Sequence, residues 1–104
     1  MPMMVQMVFH HERSSMNSKY DLKLHRKAVK SLEKIVSTDL KLAKQIKEAL
    51  LLLEKDPFQG KKLTGDWKDF YKYRVRDYRI IYQIIDDKLV VFVLEIANRR
   101  NVYD

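Results

Sequence analysis

Between Phe70 and Tyr103 the chain carries Lys72, Arg74, Arg76, Arg79, Arg99 and Arg100 along a run that alternates and then becomes continuously apolar. Side chains at i and i+2 share one face of a strand, so cations spaced in this way can gather on one side of a sheet. Lys72, Arg74 and Arg76 then oppose Tyr71, Tyr73 and Val75. Arg79 follows a tight reversal at Asp77 and should lie beside Arg74 or Arg76, while Arg99 and Tyr103 come just beyond the last strand. Two readings fit such a patch. It is a solvated basic face, ordinary for an antiparallel sheet, or it is an anion site, because like charges crowded together repel unless an anion lies between them.

If the anion is RNA, these residue types suffice for cleavage without a metal. Attack of a ribose 2′-hydroxyl on the adjacent phosphate needs a base, positive charge on the phosphorane oxygens, and an acid for the leaving 5′-oxygen. Arg and Lys supply the charge, Arg with two parallel donors. Lys and Tyr become usable bases only where nearby positive charge lowers their pKa. No histidine lies in this half, which excludes a histidine pair as base and acid there. Tyr103 or Phe70 could stack on an unpaired base.

The remaining composition is consistent with these demands. A chain of 104 residues makes one domain with a single modest core. Its 21 Lys and Arg against 14 Asp and Glu, a net charge of +7, favour a polyanion or an acidic protein partner. Cysteine is absent, so neither a disulfide framework nor a thiolate nucleophile is available, and a reducing cytoplasm fits. No apolar run approaches the roughly 20 residues of a membrane helix, and the apolar start lacks the basic leader and cleavage site of a signal peptide. His10, His11 and Glu12 invite a metal, but adjacent histidines on an arm lack the fixed geometry of a site, so no metal or cofactor is expected.

The elements that must position the cations read in order. Residues 1–17 show no clean period and are expected to be a disordered N-terminal extension, with the domain running from 18 to 104. Lys19 to Leu24 alternates as a short strand with Tyr20, Leu22 and Leu24 on one face. A helix follows with Ala28, Val29, Leu32, Ile35 and Val36 as its apolar stripe. Asp39 caps a second helix, striped by Leu40, Ala43, Ile46, Ala49, Leu50 and Leu53 and ended at Asp56-Pro57. The resulting helical hairpin should cover one sheet face. Phe58 to Lys68 is a connecting loop in which Trp67 lids the core. Strands at Asp69–Arg76, Tyr78–Ile85 and Leu89–Ala97 form an antiparallel meander, the last so apolar that both its faces should be covered. The fold class is α+β.

The run Y-K-Y-R-V-R-D-Y-R-I-I-Y-Q-I-I-D-D-K-L-V-V-F-V-L-E-I-A-N-R-R-N-V-Y resembles the C-terminal half of the RelE/ParE superfamily of type II toxins, and RelE most. The preceding strand, helical hairpin and K-K-L-T-G-D-W-K loop follow the same order. The resemblance implies a ribosome-dependent endoribonuclease that cuts mRNA in the A site without a metal. It also implies a hetero-oligomer with a RelB-like antitoxin that keeps it inactive. By the same resemblance Lys72 and Arg74 match cationic catalytic positions, one of them the general base, with lysine the more common residue at 74. Arg79 and Arg99 match clamps on the scissile phosphate, Arg99 also as a candidate acid, and Tyr103 matches a base-stacking tyrosine. Arg76 and Arg100 are supporting charges. Asn98 stands where many members carry histidine. A ParE-like inhibitor of DNA gyrase and an inactive RNA-binding domain of the same fold are the alternatives.

Overall fold

The computed structural model describes residues 9–10, 19–65 and 69–98. The strands are β1 (Phe9–His10), β2 (Asp21–Leu24), β3 (Lys61–Lys62), β4 (Phe70–Val75), β5 (Tyr78–Ile85) and β6 (Val90–Asn98). Two helices, α1 (Arg26–Thr38) and α2 (Leu40–Lys55), separate β2 from β3. The described strands form one sheet in the order β1-β2-β6-β5-β4-β3. β4, β5 and β6 are the expected antiparallel meander, and β2 runs parallel to β6, which makes the sheet mixed. Within the N-terminal extension, Phe9–His10 pairs antiparallel with β2.

The helices form where local sequence favours them. His25 Nδ1 accepts the Lys27 N–H at the start of α1, and Asp39 Oδ1 accepts the Leu42 N–H at the start of α2, so each side chain satisfies an N–H that the first turn leaves unpaired. Asp56 ends α2 before Pro57. Two members of the expected stripes fall outside the core. Leu40 is 71% exposed, whereas Leu42, absent from the expected stripe, is buried. At 3.6 residues per turn Leu40 stands roughly 115° from the axis of the arc spanned by Ala43, Ile46, Ala49, Leu50 and Leu53, and Leu42 falls inside that arc. Val36, roughly 90° from the Ala28–Ile35 line by the same geometry, is likewise exposed.

The core lies between this hairpin and one sheet face: Ile46 and Leu53 from the helices, and Leu22, Leu24, Ile80, Tyr82, Val91, Val93 and Ile96 from the sheet. Strand β6, expected to be covered on both faces, is therefore fully covered on only one. Phe92, Leu94 and Ala97 remain only half-buried, because among the described residues both helices lie on the other face. A register shift between Ile81 and Tyr82 inserts one extra residue into β6, which is why the buried series runs Val91, Val93, Ile96.

The segment expected to be a plain loop is built more tightly. Pro57–Gln59 forms a single 3-10 turn, and Lys61–Lys62 pairs with β4. The hydroxyl of the fully buried Tyr82 fixes this segment, donating to the Pro57 carbonyl at 2.7 Å and accepting the Gly60 N–H at 3.0 Å. A Cβ at Gly60 would stand 2.1 Å from that hydroxyl and 2.8 Å from the Lys72 carbonyl, so only glycine fits there. Trp67 lies outside the described residues.

Tyr82→Phe keeps the ring and leaves the Pro57 and Gly60 groups without their partner, so it should cost about 1–3 kcal/mol in urea unfolding with an unchanged m value. Burial pushes the Tyr82 phenol up to about 12, and the Tyr20 phenol is pushed to about 12 chiefly by its 2.5 Å hydrogen bond to Asp86. Both lie above the ordinary value of 10.0. Stability from these groups is thus fully present below about pH 10 and lost as pH rises through about 12. Alkaline unfolding across that window should flatten in Tyr82→Phe relative to wild type; an unchanged slope would count against the buried neutral phenol.

Candidate nucleic-acid interface

The β4–β5 hairpin brings the predicted cations together. Its register sets Arg74 directly opposite Arg79 and Lys72 opposite Ile81. Residues facing one another across antiparallel strands share a sheet face, so Lys72, Arg74 and Arg79 occupy one side, with Phe70 two residues before Lys72. This is the face turned away from the helices, since Tyr71, Tyr73, Val75 and Tyr78 pack toward the core on the other. Continued across the sheet, the Lys72–Ile81 rung ends at Glu95 and the Arg74–Arg79 rung at Ala97. Glu95 is ion-paired with Lys27 at 3.4 Å, which ties the first turn of α1 to the central strand.

The three cations differ in setting. Arg74 is exposed, Lys72 half-buried, and Arg79 only 7% exposed. The alternation of β5 gives no hint of this burial, because Arg79 stands in register with the outward-facing Ile81 and Gln83, both half-buried. A buried guanidinium is costly unless its charge is compensated. Substitution at Arg79 therefore perturbs folding as well as any ligand contact, and Lys72 and Arg74 are the cleaner probes of chemistry.

Arg76 does not share the face to which strand alternation assigned it. β4 ends at Val75, and Arg76 takes φ 55° in the link to β5. Leaving the strand, its guanidinium approaches Asp39 Oδ2 at 3.9 Å, at a cleft of about 330 Å³ lined by Thr38, Asp39, Leu42, Arg76, Asp77 and Tyr78. The two carboxylates of that cleft leave it poorly suited to a phosphate. Arg99, Arg100 and Tyr103 lie outside the described residues. Asn98 ends β6 opposite Tyr78.

Sequence reasoning missed one cation. Lys61 of β3 stands opposite Lys72, on the same face and on the next strand out. Its signal was hidden because two residues between glycine and a loop carry no alternation to read.

Known proteins share this fold. The family described as the ParE toxin of type II toxin-antitoxin system, parDE, matches residues 22–103. The mRNA interferase toxin RelE of Escherichia coli (strain K12) is 37% identical over 83 residues, covering 77% of this chain and 83% of that protein. A chain of the intact E. coli RelBE toxin-antitoxin complex aligns with a TM-score of 0.64 at 32% identity, covering 76% of this chain and 95% of its own. In the archaeal RelE-RelB complex from Pyrococcus horikoshii OT3 the TM-score is 0.64 at 26% identity, with 81% and 99% covered.

Facing like charges raise the energy of the free protein by about 0.2–1 kcal/mol. Arg74→Gln should therefore raise the thermal midpoint at low ionic strength, with the gain shrinking in added salt as the charges are screened. Arg79→Gln, at the buried position, should lower the midpoint at either salt concentration. Scanning fluorimetry at two ionic strengths checks both, and an Arg74→Gln protein that melts below wild type at low salt would contradict a repulsive pair.

Proposed function

The chain belongs to the RelE/ParE superfamily of type II toxins, close to RelE, and from that premise we propose that it is an mRNA interferase acting on the codon in the ribosomal A site. The observation that carries this reading is the convergence of Lys72, Arg74 and Arg79 on the sheet face turned away from the helices. A gyrase inhibitor that works by binding alone has no need of a phosphate-directed cluster. The RelE relative is itself called an mRNA interferase.

In this reading the 2′-oxygen attacks the adjacent phosphorus as the P–O5′ bond breaks, leaving a 2′,3′-cyclic phosphate and a 5′-hydroxyl. One proton leaves the 2′-hydroxyl and one reaches the departing 5′-oxygen, so the step consumes no co-reactant. Lys72 is our assignment for the base, because a guanidinium such as that of Arg74 does not give up its proton. Arg74 and Arg79 hold charge against the phosphorane oxygens, where donors fixed in advance stabilise the transition state most. Arg99 completes the clamp, the departing 5′-oxygen takes its proton from water, Tyr103 stacks on a base, and Arg100 adds charge nearby. Arg76, off the strand and 3.9 Å from Asp39, is assigned supporting charge rather than a phosphate contact. Neither Tyr20 nor Tyr82 serves as base, since both phenols stay protonated near neutral pH. The chemistry uses no metal.

The partner that restrains this activity is a RelB-like antitoxin, as in the RelE-RelB complexes of the structural relatives. An acidic, partly disordered segment answers both the net charge of +7 and the exposed apolar Val36 and Leu40 at the tip of the helical hairpin. The toxin and antitoxin form a hetero-oligomer, and the free toxin meets its ribosomes in the cytoplasm. Among the described residues no helix is long and apolar enough to cross a membrane.

Primer extension on mRNA undergoing translation tests the assignment. Wild-type protein should give cuts at A-site codons, and Lys72→Ala or Arg74→Ala should slow cleavage by about 10²-fold or more at unchanged fold. Intact mRNA together with stalled gyrase supercoiling would replace this reading with the gyrase alternative.

A further inference from the structure

We propose that Lys61 is a substrate-binding residue of the same face, holding the phosphate next to the one that reacts; this rests on the mRNA-cleavage reading above. Three observations point to it. The first is register: Lys61 lies directly opposite Lys72, so both project from the face that carries Arg74 and Arg79. The cations then form two rungs, Lys61–Lys72 and Arg74–Arg79, two residues apart along β4 and hence about 7 Å apart. Consecutive phosphates of one extended strand can occupy neighbouring rungs.

The second is rigidity. A lysine on a two-residue edge strand would ordinarily be free to turn away, but this one is pinned on both sides. Before it, the Gly60 N–H donates to the Tyr82 hydroxyl at 3.0 Å, and Gly60 lies against the Lys72 carbonyl too closely for any side chain. After it, the Leu63 N–H donates to the Phe70 carbonyl at 2.9 Å. The backbone of Lys61 is therefore fixed relative to Lys72, and only the side chain is left to order on binding.

The third is charge. The Lys61–Lys72 rung sets two cations face to face, an arrangement that destabilises the free protein and is relieved when an anion sits between them. Lysine on an edge strand also blocks unwanted strand pairing. That role does not distinguish Lys61 from Lys62, whereas phosphate binding does, because Lys62 pairs with Tyr71 and so projects to the opposite face. Both lysines are exposed, so neither substitution opens a cavity. Lys62→Ala is thus a control with the same charge loss, one residue away.

The experiment measures cleavage of a defined mRNA on programmed ribosomes, with kcat and KM separated for wild type, Lys61→Ala, Lys61→Arg and Lys62→Ala. Lys61→Ala should raise KM about tenfold, the loss of one charge-assisted contact, with kcat within about twofold of wild type. Lys61→Arg should restore KM, and Lys62→Ala should leave it near wild type. If wild type cleaves and Lys61→Ala matches Lys62→Ala in KM, the binding role is overturned while the cleavage reading stands. A kcat loss that Lys61→Arg does not restore overturns it in favour of a structural role. Wild-type protein that leaves translated mRNA whole overturns the cleavage reading and this inference together.

Discussion

The registers of the β3–β4 and β4–β5 pairs set like charges directly across from each other, Lys61 against Lys72 and Arg74 against Arg79. Such pairs do not arise from packing, because they raise the energy of the empty protein. The fold must hold them in place against that repulsion. It does so by committing the opposite face of the same strands to the core: Tyr71, Tyr73, Val75, Ile80 and Tyr82 cannot turn outward without exposing the apolar surface that the helical hairpin covers. Since a one-residue slip would exchange the two faces, burial of the inner set fixes the cations outward.

Tyr82 couples the two halves of this arrangement. It is fully buried in the centre of the sheet, stacked on Tyr71 with centroids 5.6 Å apart, and its hydroxyl reaches the segment that follows α2. One hydrogen-bonded ring therefore joins the core, the end of the helical hairpin and the edge strand that carries Lys61. The bulge in β6 serves the same end differently. By adding one residue opposite Ile81 it lets the strand return Ile96 to the core while Ala97, a small residue, stands beside Arg79.

Membership of the toxin family and the local geometry bear on different questions. The family relation accounts for the fold. The geometry says which cations share a face. It sets Lys61, Lys72, Arg74 and Arg79 on one side of the sheet. Arg76 leaves the strand with a positive φ and lies near Asp39.

The elements were readable because their causes are local. Alternation in 70–85, the helical stripe ending at Asp56-Pro57 and the capping side chain of Asp39 act over a few residues, and each produced the element expected of it. The tight hairpin narrowed the partner of Arg79 to Arg74 or Arg76, and the structure pairs it with Arg74. Burial of Arg79, the strand character of Lys61–Lys62 and the departure of Arg76 were not readable. Each depends on what a distant segment does: Tyr82 pins β3 from 22 residues away, and Asp39 draws Arg76 from another element. The sequence by itself determined which residues alternate, which are apolar and which are charged. Only the tertiary structure decided which of those charges stand together, because register and cover are set by contacts between segments far apart in the chain.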